Sequence, residues 1–193
     1  YHMRGVLPQG AKTLINEIAR MLNSKERSTQ GAAIWALQGL PPAVGIEVLN
    51  MLDNTSEEAI QTLGELGLLL EDDAVKMEVL NRLEGLFKDS NWDIRRLAAA
   101  TYGRIGASLE DEGKKILVLG RLEEFFKSGD WNLIVAATDS YGLVAASING
   151  EDKKTEILDE LLKMSGHSNS YLGESALKFC GPVAASLHDE TKK

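Results

Sequence analysis

Apolar residues recur along this chain at spacings of three and four. Val79, Leu80, Leu83, Leu86 and Phe87 fall on one arc of a 3.6-residue helix, and Val118, Leu119, Leu122, Phe125 and Phe126 redraw that arc further along. A second kind of helix carries small residues where these carry large ones: Leu97, Ala98, Ala99 and Ala100 in one, Val135, Ala136 and Ala137 in the next. Small side chains let helices approach closely. No run shows the β-branched alternation of a strand, so no sheet is expected. The pattern predicts helices at about 10–22, 28–39, 41–53, 56–69, 72–89, 92–107, 110–128, 131–147, 151–165 and 170–186. Ser90, Asn91 and Asp130 stand where N-caps are wanted, and turns fall at 106–108, 149–150 and 166–169. Pro41 and Pro42 sit at a helix start, where a missing amide costs little. Pro182 falls inside the last helix and is expected to kink or end it.

The two arcs belong to a longer self-similarity. Arg82-Leu83-Glu84 leads to Trp92 as Arg121-Leu122-Glu123 leads to Trp131, 39 residues on. The same offset carries Tyr102-Gly103 to Tyr141-Gly142 and Cys180-Gly181, and Ala107-Ser108 to Ala146-Ser147 and Ala185-Ser186. Backwards it reaches Leu63-Gly64, beyond which the period breaks down. Gapless registration of this kind marks structural modules stacked one on the next. Glycine inside a helix costs about 1 kcal/mol relative to alanine. Gly64, Gly103, Gly142 and Gly181 at one module position therefore suggest a helix crossing too close for a Cβ.

The stretch Asp93-Ile94-Arg95-Arg96-Leu97-Ala98-Ala99-Ala100-Thr101-Tyr102-Gly103-Arg104-Ile105-Gly106 closely resembles the signature of HEAT repeats, of the kind also found in phycobilisome lyases. The second copy departs at Asn132-Leu133-Ile134 and the third at Tyr171-Leu172-Gly173, where the stacked Asp and Arg ladder usual in that family is missing. The resemblance implies an all-α protein, a right-handed α-α superhelix of about ten helices in which the second helix of each pair lines a concave face. It implies one domain over 1–193, with 10–27 as N-terminal cap, 28–165 as repeats, 166–187 as C-terminal cap helix and 188–193 as a frayed tail. Residues 1–3 look like a cloning remnant. At 100° per residue, the inner helices then point Glu78, Asn81 and Lys88 into the groove, followed by Leu117, Gly120 and Lys127, then Glu156, Asp159 and Gly166, with Gly85, Glu124 and Lys163 completing the strip. Arg121 and Glu160 stand where they could pair between adjacent modules.

Composition narrows the function. With 193 residues, 44% hydrophobic and 26% charged, the chain can bury a core. No stretch approaches the roughly 20 apolar residues of a membrane helix and no charged-then-apolar leader opens it, so a cytoplasmic protein is expected. One cysteine, Cys180, excludes an intramolecular disulfide and any multi-thiolate metal site, and its module position makes it a buried, inert thiol. The net charge is −8, and residues 28–75 contain no Lys or Arg while holding Glu47, Asp53, Glu57, Glu58, Glu65, Glu71, Asp72 and Asp73. Such a surface disfavours nucleic acid and favours a partner segment carrying Lys or Arg.

Catalytic signals fail: His2, His167 and His188 lack ligand-like neighbours at metal spacing. The His-Glu dipeptides of HEAT-like deoxyhypusine hydroxylases do not occur, and phosphate loops and nucleophile elbows are missing. Trp92 and Trp131 are expected to pack under inter-repeat turns. No cofactor or metal is called for. The expectation is a non-catalytic HEAT-repeat scaffold that binds another protein through the inner strip and the acidic first half, with Glu57, Glu58, Asp72, Asp73, Glu78, Asn81, Lys88, Glu124, Lys127, Glu156, Asp159 and Lys163 as contact residues. The alternative is a phycobilisome-lyase-like or other enzyme-associated module holding a ligand or modified protein in the groove. Self-association through the apolar stretch 181–187 is a third possibility.

Overall fold

Polar side chains start several of the helices by accepting amide protons that the first turn leaves unbonded. Asn91 accepts from Asp93 at 2.9 Å, Asp111 from Lys114 at 3.0 Å, Ser56 from Ala59 at 3.1 Å, and Asp130 from both Asn132 and Leu133. Ser90, proposed as a cap, instead offers its carbonyl to Arg95. In the computed structural model, which describes residues 9–52, 56–127, 129–166 and 170–190, these starts lead into ten α-helices among the described residues. They are α1 (Gln9–Leu22), α2 (Arg27–Gln38), α3 (Pro42–Leu49), α4 (Glu57–Leu69), α5 (Asp73–Gly85), α6 (Trp92–Ala107), α7 (Glu112–Phe125), α8 (Trp131–Ser147), α9 (Glu151–Ser165) and α10 (Ser170–Glu190). No strand occurs among the described residues, and the protein is all-α.

Three helices, α6, α8 and α9, have the bounds that the apolar pattern predicts. Elsewhere the structure adjusts them. The helix expected over 41–53 starts at Pro42 with Pro41 before it, as a proline-rich start should, but it stops at Leu49. The one expected over 72–89 closes at Gly85 and continues as a 3-10 turn, Leu86–Lys88. Pro182 does not end the last helix. α10 runs through it to Glu190, because Val183, just beyond the proline, is fully buried and the helix packs against both α8 and α9. Residues 188–190 of the expected frayed tail are thus helical; the remnant at 1–3, the turn at 167–169 and the end at 191–193 lie outside the described residues.

The chain divides into two compact units, Tyr1–Val79 and Leu80–Lys193, with the boundary inside α5. In the first, α1 packs on α2 and α3, and α2 on α4, around Ile18, Leu22, Ile34, Leu37, Ile60 and Leu63. In the second, α6, α8 and α10 form one layer, α6 against α8 and α8 against α10. A second layer covers it, α7 packing on α8 and α9 on α10.

Gly103 and Gly142 stand at crossings too close for a Cβ, and Gly181 does not. A Cβ on Gly103 would lie 2.5 Å from the Cα of Ser140, so α6 and α8 touch backbone to backbone there. The Ser140 hydroxyl, between the carbonyls of Ala99 at 2.6 Å and Ala136 at 2.9 Å, seals that crossing. A Cβ on Gly142 would meet the ring of Phe179 on α10 at 2.0 Å. Gly181 has nothing within 4 Å of its Cβ position and is exposed, since no further helix crosses α10 at that point among the described residues.

One ion pair links α6 to the start of α8. Arg95 on α6 donates to the carbonyl of Asp89 at 2.7 Å and lies 3.2 Å from Asp130, so the cap of α8 supplies the acid that the second copy lacks within its helix.

Candidate functional site

The second layer of the larger unit holds the most elaborated hollow, a cleft of about 550 Å³ between α7 and α9. Its floor is Tyr141 on α8, 1% exposed, whose hydroxyl donates to Glu123 of α7 at 3.1 Å. Phe126 meets the Tyr141 ring edge-on at 5.5 Å. Helical spacing on α9 sets Glu156, Asp159, Glu160 and Lys163 on one side, with Lys153 a turn earlier, and Lys127 closes the α7 side. Lys153 pairs with Glu156 at 2.8 Å and Lys163 with Glu160 at 3.1 Å. Asp159 and Lys127 have no ion-pair partner among the described residues. Burial, and after it the carboxylates of Glu123, Glu160 and Glu156, hold the Tyr141 hydroxyl well above the ordinary tyrosine range.

The same arrangement occurs one step earlier, and there the chain's own ion pair stands beside the tyrosine. Tyr102, also buried, meets Phe87 edge-on at 5.3 Å. Beside it Glu84 binds Arg121 at 2.6 Å, and the hydroxyl of Tyr102 is likewise pushed up by burial and by Glu84. Arg121 therefore pairs backwards with Glu84, and Glu160 pairs with Lys163. The contact expected between Arg121 and Glu160 does not form, because each finds a nearer partner of opposite charge.

Lys127, Glu156, Asp159 and Lys163 are thus brought together at one cleft. Asn81, Lys88 and Glu124 are exposed in the same unit, on α5, the turn after it and α7, outside that cleft; Glu78, on α5 within the first unit, is half-buried. Glu57, Glu58, Asp72 and Asp73 do not form a patch. Glu57 and Glu58 sit in the first turn of α4, whereas Asp72 and Asp73 lie past its far end, about 20 Å along a 13-residue helix. Asp72 accepts from Ala74 at 2.7 Å and Val75 at 3.2 Å, capping α5, and the others stand where acids favour a helix N-terminus. The acidic window is also less bare than its sequence: Lys25 and Arg27, just before it, line one hollow with Glu58 and Glu65, and Arg27 donates to Gln61 at 3.2 Å.

Trp92 and Trp131 are 43% and 45% exposed, so they are not packed under turns. Each is the first residue of its helix, too early to reach the core, and the two flank a groove with Arg96 stacked 5.3 Å over Trp92. Cys180 is half-buried, not fully buried like its counterparts Tyr102 and Tyr141; burial raises its thiol pKa and its sulfur donates to the Ala176 carbonyl. His2 and His167 lie outside the described residues, as does the side chain of His188.

A set of residues missed in the sequence is Lys76, Lys115 and Lys154, spaced at the module offset and all buried. Lys115 shows the reason: it donates to Glu112 at 3.0 Å and to the carbonyl of Ser147, the last residue of α8, at 2.7 Å. The recurring offset was the available signal. Among the described residues no group of three or more His, Cys, Asp or Glu could hold a metal ion, and no helix is long and apolar enough to cross a membrane.

No family model matches the chain. No curated protein matches it. Among solved structures it is similar to the crystal structure of an engineered protein from the Northeast Structural Genomics Consortium, at 16% identity and a TM-score of 0.49, over 88% of this chain and 79% of that one.

Proposed function

We propose that this chain is a non-catalytic, HEAT-like interaction module of the cytoplasm that binds a basic segment of a partner protein in the cleft between α7 and α9. One observation carries the reading. Four residues of the outward strip, Lys127, Glu156, Asp159 and Lys163, converge there around Glu123 and Tyr141, and the carboxylates outnumber the lysines. A mixed rim with an acidic excess over a rigid aromatic floor suits a short segment carrying Lys or Arg, and it repels phosphate backbones.

Panning a display library of random short peptides against the protein tests this. Basic sequences should be enriched, lose affinity as salt rises, and bind far more weakly to a Glu123→Gln, Asp159→Asn variant than to one neutralised at Glu57 and Glu58. Enrichment of no basic sequence, or equal binding by both variants, would overturn the proposal.

A further inference from the structure

The cleft between α7 and α9 has an internal template that names its occupant. Each of two successive steps has a buried tyrosine beneath a glutamate, with a phenylalanine edge-on to the tyrosine ring. The pairs are Phe87 with Tyr102 at 5.3 Å and 67°, and Phe126 with Tyr141 at 5.5 Å and 64°. Glu84 and Glu123 correspond, as do Lys88 and Lys127. What changes is the opposite wall: Leu117, Gly120 and Arg121 on α7 give way to Glu156, Asp159 and Glu160 on α9. In the first step the chain's own guanidinium, Arg121, lies 2.6 Å from Glu84 beside the tyrosine. In the second, Arg121 and Glu124 give way to Glu160 and Lys163, which pair at 3.1 Å, two further acids are added, and about 550 Å³ stands open.

We infer that the cleft between α7 and α9 receives an arginine side chain of the partner protein, its guanidinium taking beside Glu123 the place that Arg121 takes beside Glu84. The inference rests on the reading above and sharpens it from a basic segment to one planar, forked cation. Glu123 has spent one oxygen on the Tyr141 hydroxyl and keeps the other to accept an N–H; Asp159 and the oxygen of Glu160 that Lys163 does not hold are left on the α9 side for the remaining donors. The half-buried ring of Phe126 gives the flat group an apolar surface to lie on. Lysine offers the charge without the fork, so it should bind less well.

The test uses the capped pentapeptide Gly-Ser-Arg-Ser-Gly, titrated into the full chain and followed by amide NMR shifts. Saturable shifts are expected around Glu123, Tyr141 and Glu160. Replacing the arginine by its neutral isostere citrulline should weaken binding by about tenfold or more, with lysine between the two. Glu160→Arg should restore the self-closed arrangement of the preceding step and abolish the shifts, while Glu160→Gln should only weaken them; dispersed spectra would show that both variants fold. Equal binding of the citrulline peptide, or undiminished shifts in Glu160→Arg, would overturn the inference. If the arginine peptide leaves the cleft unmoved while basic peptides from panning still bind there, this inference falls and the interaction reading stands. If panning yields no basic ligand, both fall.

Discussion

The steps built on Tyr102 and Tyr141 share a floor and differ in their walls. Both tyrosines are buried, both have a phenylalanine at their edge, and both follow the helix from a tryptophan start. Yet Arg121 closes the first over Glu84, while Glu160 leaves the second open and acidic. The buried tyrosine and its phenylalanine recur in both steps because each pair fills the space between neighbouring helices. Residues facing solvent carry no such constraint, so the two steps can present opposite charge beside the same aromatic pair. The crossings differ as well: Gly103 abuts backbone at Ser140, Gly142 a side chain at Phe179.

The largest effect expected concerns those crossings. Gly103→Ala should destabilise the protein by about 2–4 kcal/mol, because two backbones must separate, even though alanine favours helix by about 1 kcal/mol. Gly142→Ala should cost a comparable amount, since its Cβ would lie 2.0 Å from the Cγ of buried Phe179, an atom that turning the ring does not move. Urea unfolding of the two variants checks this, and either variant as stable as the parent would show that its crossing has room for a Cβ.

Next comes the lysine that ties α7 to the end of α8. Lys115→Met should lose about 1–3 kcal/mol by leaving the Ser147 carbonyl without its donor. A thermal midpoint unchanged from the parent would show that the bond adds nothing.

Alkaline pH sharpens the similarity of the two floors. Tyr102 and Tyr141 keep their protons above the pH of about 10 at which an unfolded tyrosine loses its own. Above that point the unfolded chain binds fewer protons than the folded one, so stability should be unaffected below about pH 10 and fall as pH rises beyond it. Tyr141→Phe should remove part of that fall. Tyrosinate absorbance showing all four tyrosines ionised near pH 10 in the folded protein would contradict the account.

The smallest effect tests the difference in walls. Arg121 is half exposed and Glu84 about a quarter, so after solvent screening Arg121→Gln should change stability by no more than about 1 kcal/mol. It should also open the first step, making it a second, weaker site for the arginine pentapeptide. A stability loss several times larger would mean that the pair is structural and no guide to the open cleft.

Periodicity and breakers along the chain determined the all-helical character, the offset of 39, and the starts of α6 and α8 at Trp92 and Trp131, because helix caps and apolar arcs are local and each arises from residues within a few turns. The same local reasoning placed Lys127, Glu156, Asp159 and Lys163 on outward faces. It could not say that these four would meet while Glu57 and Asp72 would stand at opposite ends of one helix. Nor could it tell that Arg121 would turn back to Glu84, that Trp92 and Trp131 would remain half in water, or that Pro182 would be carried within α10 by the burial of Val183. Those outcomes depend on which surfaces come within a few ångströms of each other across dozens of residues. Competition among several possible partners is resolved by distance and burial, and only the tertiary structure supplies both.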